Sequence, residues 1–157
     1  MAKVIMTCGR ICCGKSTYAR KLQENRNAVV LSIDDITLTL FPEGAGEMHD
    51  VYVRRAEQYL LALSLQILET GADVILDWGF WQKADRTETG TYFADQAISF
   101  EWYYLDISDA RWRENIARRN AAPGPSDYFA DEGLLQKCVR RFEAPDAEEA
   151  RNWHIIR

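Results

Sequence analysis

No apolar stretch in this chain approaches the roughly 20 residues that a membrane-spanning helix needs. Internal repeats and low-complexity segments are absent, and Met1-Ala2-Lys3 leads directly into a β-rich segment rather than into a secretory leader. Cys8, Cys12, Cys13 and Cys138 do not have the spacing of metal ligands. These absences favour a cytoplasmic protein with reduced thiols and no membrane association.

The sequence also lacks a surplus of basic residues. Its 19 Lys and Arg residues against 24 Asp and Glu residues give a net charge of −5. This balance disfavours a broad nucleic-acid surface, although a local basic groove stays possible. The two histidines, His49 and His154, have no evident partner and are not predicted to be catalytic. A length of 157 residues fits one domain with a substantial core.

The most informative segment spans residues 9–17 and satisfies the P-loop pattern G-x-x-x-x-G-K-[ST]. A short apolar strand over 3–8 precedes it, and a helix over 16–24 is predicted to follow it. Backbone N–H groups and the positive end of a helix would then face a phosphate chain. A chance match in an ordinary strand-to-helix turn is the alternative. The residues predicted to bind the nucleotide are Gly9, Arg10, Ile11, Cys12, Cys13, Gly14, Lys15, Ser16 and Thr17.

Apolar strand patterns alternate with helical patterns along the rest of the chain, which predicts a parallel α/β sheet with right-handed crossovers. Further strands are expected over 28–33, 73–77, 100–106 and 153–156, and further helices over 36–40, 48–69, 84–98, 109–120 and 131–142. Asp34, Asp35, Asp77 and Asp106 follow strands. Ligands in such sheets bind beyond the carboxyl ends of the strands, so these acids should share one edge with the P-loop.

Phosphoryl transfer to a hydroxyl needs a carboxylate that accepts the hydroxyl proton. Asp34 and Asp35 are candidates, although both could instead serve as helix N-caps. Asp77 ends a strand of Walker B form and is predicted, with the Ser16 hydroxyl, to hold Mg²⁺. Lys15 is predicted to reach the β- and γ-phosphates.

A second requirement is positive charge on a closing lid. Arg119 lies one turn beyond the predicted core residues Trp112 and Ile116 and is the first candidate, followed by Arg118. Arg111 is expected to be ordinary surface, and a solvated basic face is the alternative for all three arginines. Trp78, Phe80 and Trp81 are predicted to line an acceptor pocket in part and to pack under the next helix in part.

The segments GRICCGKST, LSIDD, VILDWGFW with Arg86 downstream, ARRN and FEAP resemble, in matching order, the small P-loop kinases grouped with polynucleotide 5′-kinase, zeta toxin and chloramphenicol phosphotransferase. This resemblance implies a three-layer α/β/α P-loop fold with a mostly parallel five-stranded sheet, similar to mononucleotide kinases. It also implies one domain over 1–157 with a short lid over about 112–130. By position, Asp34 would be the base and Arg119 the lid arginine.

The resemblance implies a kinase that uses ATP and Mg²⁺. The proposed catalytic residues are Lys15, Asp34 and Arg119, with Arg118 as a further nucleotide contact. Substrate contacts are expected from Asp35, Trp78, Phe80, Trp81 and Arg86. Polynucleotide 5′-kinases have basic residues where this chain has Thr37 and Asn115, so a small hydroxylated acceptor is favoured over a polynucleotide. A module that binds ATP without transferring phosphate is the other alternative.

Overall fold

The computed structural model describes residues 1–124 and 128–157. Within them the chain alternates strands and helices, as the sequence pattern predicts. The elements, in chain order, are β1 Val4–Cys8, α1 Lys15–Glu24, β2 Ala28–Ser32, α2 Ile33–Leu40, a 3-10 turn Gly46–Met48, α3 His49–Glu69, β3 Asp73–Asp77, α4 Lys83–Ala94, β4 Phe100–Leu105, α5 Asp109–Ala121, α6 Glu132–Arg141 and β5 His154–Ile156.

The five strands form one sheet in the order β2-β3-β1-β4-β5, and all four pairings are parallel. This confirms the predicted α/β sheet and makes it wholly rather than mostly parallel. Strand β1 occupies the centre, where all five of its residues are buried. Because β1 leads directly into the P-loop, the loop emerges from the middle of the sheet edge.

Side chains that alternate along the strands build a core on each face of the sheet. Val4 and Met6 join Leu60 of α3 on one face, whereas Ile5 packs with Ala19 of α1 on the other. Helices therefore cover both faces, which is the predicted three-layer α/β/α arrangement. Within the described residues, no helix has the length and apolar character needed to cross a membrane.

Strand β2 differs from the sequence expectation in its burial. Its apolar composition predicts a strand covered on both faces, yet Val29 is 38% exposed. The reason is topological, since β2 lies at one edge of the sheet beside β3.

Helix α2 begins at Ile33 rather than at the predicted residue 36. Ser32 caps it, with its Oγ accepting a hydrogen bond from the Asp35 backbone N–H at 3.2 Å. The alternative that Asp34 and Asp35 are the N-caps is therefore wrong. Both carboxylates lie in the first helical turn, where the helix dipole favours negative charge.

Helix α4 ends at Ala94, four residues before the predicted end at 98. Asp131, the first residue of the helix predicted over 131–142, caps α6 by accepting a hydrogen bond from the Leu134 backbone N–H at 2.8 Å. The predicted lid over about 112–130 includes residues 125–127, which lie outside the described residues. Its described part comprises most of α5 and the segment 128–130.

Candidate active site at the carboxyl edge of the sheet

The P-loop has the backbone conformation of a phosphate cradle. Gly14 adopts a φ of +98° and caps α1, and Cys12 is also left-handed with a φ of +59°. A Cβ atom added at Gly9 would lie 2.5 Å from Cys13 Sγ, so a larger residue there would displace the Cys13 side chain of the loop. Helix α1 begins at Lys15, which directs its unpaired N-terminal N–H groups toward the loop.

Lys15 folds back over the loop. Its Nζ donates hydrogen bonds to the backbone carbonyls of Gly9 at 3.0 Å and Arg10 at 2.7 Å. Both partners are neutral carbonyls, and a phosphate oxygen forms a stronger charge-assisted bond with an ammonium group. The lysine is therefore held at the loop in a position from which a nucleotide phosphate could replace its carbonyl partners.

Helix α5 is fastened to the P-loop by three side chains. Arg10 donates hydrogen bonds to the Asp109 carboxylate at 2.9 Å and to the Ile107 carbonyl at 3.1 Å. Trp112 Nε1 donates to the Ile11 carbonyl at 2.6 Å, and Asn115 Nδ2 donates to the Cys12 carbonyl at 3.0 Å. The Arg10 guanidinium is bound to Asp109 and Ile107. The predicted contact between Arg10 and the nucleotide would therefore be made by the Arg10 backbone. Asn115 thus supports the backbone of the P-loop.

Asp34, Asp35 and Asp77 meet at the edge of the sheet because β2 and β3 run side by side with Ser32 opposite Asp77. Desolvation raises the pKa of Asp34, which is accessible to solvent but lies between the walls of the cleft. Lys15 and Arg119 lower that pKa, whereas Asp77 raises it. Burial likewise raises the pKa of Asp77, and the nearby Ser16 side chain and the charge of Lys15 oppose the shift. The cluster of acids is thus partly balanced by the P-loop lysine and the α5 arginine.

The raised pKa of Asp34 predicts how stability depends on pH. Its proton is bound more tightly in the folded state, so this group's stabilising contribution is complete below its ordinary pKa of 3.8 and is lost as pH rises through the raised value. We expect unliganded Asp34→Asn to melt at a higher temperature than wild type at neutral pH, with the difference shrinking toward pH 3.8. Thermal melts between pH 3.8 and neutral pH measure this difference in melting temperature. A lower melting temperature of the variant than of wild type at neutral pH would contradict the raised pKa of Asp34.

The two lid arginines have different surroundings. Arg119 Nη1 lies 3.1 Å from Cys12 Sγ, so its side chain reaches the P-loop. The Arg118 side chain is 71% exposed and pairs with Glu114 at 3.7 Å along the helix surface. Arg111 is exposed, as predicted, and it lies at the rim of the same cleft. Of these arginines, Arg119 is the one in contact with the loop.

The aromatic turn after β3 combines core packing with access to the cleft. Trp78 and Phe80 are each 6% exposed and stack with ring centroids 5.3 Å apart. Phe80 adopts a left-handed φ of +48°, and a Cβ atom at Gly79 would lie 2.4 Å from Trp81 Nε1. Trp78, Phe80 and Trp81 all line the cleft. The backbone of the turn is bound to the P-loop, since the Gly9 N–H donates to the Gly79 carbonyl at 3.3 Å.

Arg86 does not reach the cleft, and its predicted substrate contact is wrong. Its side chain is 1% exposed and forms an ion pair with Glu149 through Nε at 2.6 Å and Nη2 at 3.0 Å. Its Nη1 donates to the carbonyls of Phe80 at 2.9 Å and Glu143 at 3.0 Å. Arg86 therefore ties the aromatic turn to the segment before β5.

We expect Glu149→Ala to destabilise the fold by about 3–5 kcal/mol, because it leaves the buried Arg86 cation without its partner. Denaturant unfolding monitored by tryptophan fluorescence measures this loss. Glu148→Ala is the matched control, since Glu148 is the exposed neighbour. Equal stability of the two variants would show that the Arg86–Glu149 pair contributes little to the fold.

The side chains described above surround one cleft of about 1100 Å³. Its wall also includes Tyr128, whose hydroxyl is 2.7 Å from Thr37 Oγ1 and so joins α2 to the last part of the predicted lid. Sequence patterns did not indicate this contact, because the two residues are 91 positions apart. Within the described part of the chain, no group of three or more His, Cys, Asp or Glu residues could hold a metal ion. Mg²⁺ is commonly bound by one or two protein ligands together with phosphate oxygens and water.

The family model named AAA_33, described as an AAA domain, matches residues 4–145. The chain therefore belongs to this family of small P-loop kinases. Among curated proteins, none matches the sequence.

Three solved structures illustrate the shared fold. A chain of the Pnkp1/Rnl/Hen1 RNA repair complex has 20% identity and a TM-score of 0.72. The match covers 89% of this chain and 43% of the chain in the complex, so this protein spans less than half the length of that chain. Chaetomium thermophilum Kti12 in complex with ADP-AlF3 has 17% identity and a TM-score of 0.72, with 98% and 87% covered. Mycobacterium tuberculosis APS kinase CysC with AMPPNP and APS has 19% identity and a TM-score of 0.58, with 78% and 73% covered.

Proposed function

We propose that this chain is a cytoplasmic, single-domain kinase with a lid over about 112–130, which transfers the γ-phosphoryl group of ATP to a hydroxyl of a small molecule. The observation that carries this proposal is the convergence of a P-loop lysine, strand-end carboxylates and a loop-contacting arginine on one cleft. A nucleotide-binding module would need the P-loop alone. An acceptor base beside the γ-phosphate is useful only when phosphate is transferred.

In this proposal the P-loop backbone holds the phosphates, while Lys15 and Arg119 neutralise charge on the transferring group. Ser16 and Asp77 would hold Mg²⁺, which supplies charge neutralisation at the phosphate oxygens. Asp34 accepts the proton as the acceptor oxygen bonds to the γ-phosphorus and the bond from that phosphorus to the bridging oxygen breaks. The products are ADP and a phosphomonoester. Thr17 and the remaining loop residues contribute backbone contacts to the nucleotide phosphates. Arg118 supplies a second positive charge, farther from the P-loop than Arg119.

The choice of ATP is supported by the nucleotides in the relatives' structures, which are ADP-AlF3 for Kti12 and AMPPNP for the APS kinase. The cleft volume of about 1100 Å³ exceeds the upper end of the usual range for a site that holds one drug-sized ligand. It therefore leaves room for an acceptor beside the nucleotide.

A 5′-hydroxyl polynucleotide kinase is the second candidate, because a chain of an RNA repair complex shares the fold. Two features weigh against it. Thr37 and Asn115 replace basic residues, and they are engaged with Tyr128 and the Cys12 carbonyl rather than free to bind phosphate. The net charge of −5 also opposes a long polyanion.

The test supplies γ-labelled ATP and Mg²⁺ to pooled acceptors: sugars, amino sugars, nucleosides, hydroxylated antibiotics and 5′-hydroxyl oligonucleotides. We expect label in a small-molecule pool, and no label with Lys15→Ala. Transfer to oligonucleotides that falls steeply with salt would support the second candidate instead. ATP binding without a labelled product from any pool would favour the non-catalytic ATP-sensing module.

A further inference from the structure

Tyr128, in the last part of the predicted lid, lines the cleft and has no role among the catalytic groups proposed above. Its hydroxyl lies 2.7 Å from Oγ1 of Thr37, a residue that is 3% exposed. Thr37 follows Asp34 by three residues in α2, so the two side chains share one face of the helix, with Cβ atoms about 5–6 Å apart. The Tyr128 hydroxyl is therefore held about one helical turn from the proposed base.

Two further contacts fix the position of Tyr128. The ring of His49, which also lines the cleft, meets the Tyr128 ring edge-on with centroids 6.1 Å apart. Two residues further along the chain, the Ala130 carbonyl accepts a hydrogen bond from Asn120 Nδ2 at 2.8 Å, and the Ala130 N–H donates to Asn120 Oδ1 at 2.9 Å. Asn120 belongs to α5, which is itself bound to the P-loop. Tyr128 is thus anchored to the phosphate side of the cleft as well as to α2.

The hydrogen bonds of this pair determine which atom is left for a ligand. Thr37 has one hydroxyl proton, and its Oγ1 donates that proton to the Asp34 backbone carbonyl at 3.3 Å. The bond between Tyr128 and Thr37 therefore uses the Tyr128 proton, and the Tyr128 oxygen keeps its capacity to accept a hydrogen bond. Among the described residues, no side chain or backbone N–H donates to this oxygen. It is an acceptor atom that a ligand in the cleft can use.

The surroundings of Tyr128 keep its hydroxyl protonated at neutral pH. Burial raises the pKa of Tyr128 above its ordinary value of 10.0. The hydrogen bond with Thr37 opposes this rise, and the charge of Asp34 adds to it. The influence of Asp34 on the tyrosine agrees with the helix geometry, which places both groups on the same side of α2. The cleft therefore presents a neutral acceptor atom next to the proposed base.

We propose that Tyr128 determines the specificity of the acceptor site and that the acceptor is a vicinal diol, as in a polyol or a sugar ring. This inference rests on the proposed kinase function and names its substrate class. The hydroxyl that attacks the γ-phosphorus gives its proton to Asp34. The hydroxyl on the adjacent carbon donates a hydrogen bond to the Tyr128 oxygen and keeps its proton.

Two acceptor atoms one helical turn apart match two neighbouring hydroxyls, because each O–H···O bond extends the reach of the diol by about 2.7–2.8 Å. The 5′-hydroxyl of a nucleoside or polynucleotide lacks this second donor, since the adjacent carbon carries a ring oxygen and no hydroxyl. Such an acceptor leaves the Tyr128 oxygen without a partner in the closed site, which disfavours it.

The test supplies γ-labelled ATP and Mg²⁺ with polyols and sugars, and in parallel with monodeoxy analogues that lack the hydroxyl next to the phosphorylated one. We expect each parent compound to have a kcat/KM about 3–10-fold above that of its analogue, the usual net effect of one hydrogen bond. Tyr128→Phe should abolish this preference by raising KM for the parent compound, with kcat and KM for ATP little changed. Tyr59→Phe, on the exposed surface of α3, is the matched control and should keep the preference.

Binding is measured separately, by titrating the same parent and deoxy compounds into wild type and Tyr128→Phe with ADP and Mg²⁺ present. Tighter binding of a parent compound by wild type but not by Tyr128→Phe supports the assignment even when no label is transferred, and that combination would contradict the kinase proposal alone. Equal use of parents and analogues by wild type, or a preference that survives in Tyr128→Phe, would overturn the assignment and leave the kinase proposal standing. Label confined to 5′-hydroxyls would also overturn it, and the absence of both binding and label would overturn both proposals.

Discussion

Lys15→Ala is expected to lose ATP turnover by about 10²–10³-fold or more, the range found when one preorganised donor to transition-state charge is removed. The Lys15 ammonium is held at the P-loop by the carbonyls of Gly9 and Arg10. It can therefore transfer to a phosphate with little reorganisation. Alanine removes this charge, while the Gly14 cap and the N-terminus of α1 remain.

The measurement is ADP formation with Mg²⁺ at saturating ATP, because saturation separates turnover from nucleotide affinity. Lys83→Ala is the control, since Lys83 is a lysine of α4 that pairs with Asp146 outside the cleft. We expect the control to match wild type. A Lys15→Ala variant that retains most of its activity would contradict the assignment of this lysine to the transferring phosphate.

Asp34→Asn is expected to cut phosphoryl transfer by about 10²–10⁴-fold, the usual contribution of a general base. ATP affinity should stay nearly unchanged, because the base faces the acceptor rather than the nucleotide. The raised pKa of Asp34 also suits the role, since it moves the carboxyl toward neutral pH and makes it a better proton acceptor.

Asp35→Asn distinguishes the two adjacent acids. The charges that act on Asp34 include Lys15 and Arg119, both of which belong to the proposed phosphate site. Asp35 donates its backbone N–H to the Ser32 cap, a bond that asparagine retains. We expect a much smaller loss for Asp35→Asn than for Asp34→Asn. A larger loss for Asp35→Asn than for Asp34→Asn would assign the general base to Asp35. Weakened ATP binding with intact turnover in Asp34→Asn would show that Asp34 contacts the nucleotide rather than the acceptor.

The elements that could be predicted from sequence are those with strong local signals. The strand before the P-loop, the helix after it and helix α6 depend on neighbouring residues, and they occur where the sequence predicts them to within one residue at their starts. The sequence does not predict the correct start of α2, because Ile33, Asp34 and Asp35 are equally compatible with the end of a strand. The Ser32 cap fixes the start of α2 at Ile33. A single serine is a weaker sequence signal for a helix start than two adjacent aspartates.

Contacts between distant segments could not be predicted in the same way. Arg86 follows the aromatic turn in sequence, which suggested a substrate role, but its partner Glu149 is 63 residues away. Thr37 of α2 and Tyr128 likewise meet although they are 91 positions apart. Both contacts depend on how distant segments pack around the sheet.

Transfer of phosphate to a hydroxyl is tested most directly by following where the γ-phosphoryl group goes. Wild type and Asp34→Asn are incubated with γ-labelled ATP, Mg²⁺ and the acceptor pools, and ADP, free phosphate and phosphomonoester are quantified together. We expect one phosphomonoester for each ADP with wild type, and a large loss of both products with Asp34→Asn. ADP matched by free phosphate in both proteins, whatever the acceptor, would identify a hydrolase and contradict the account.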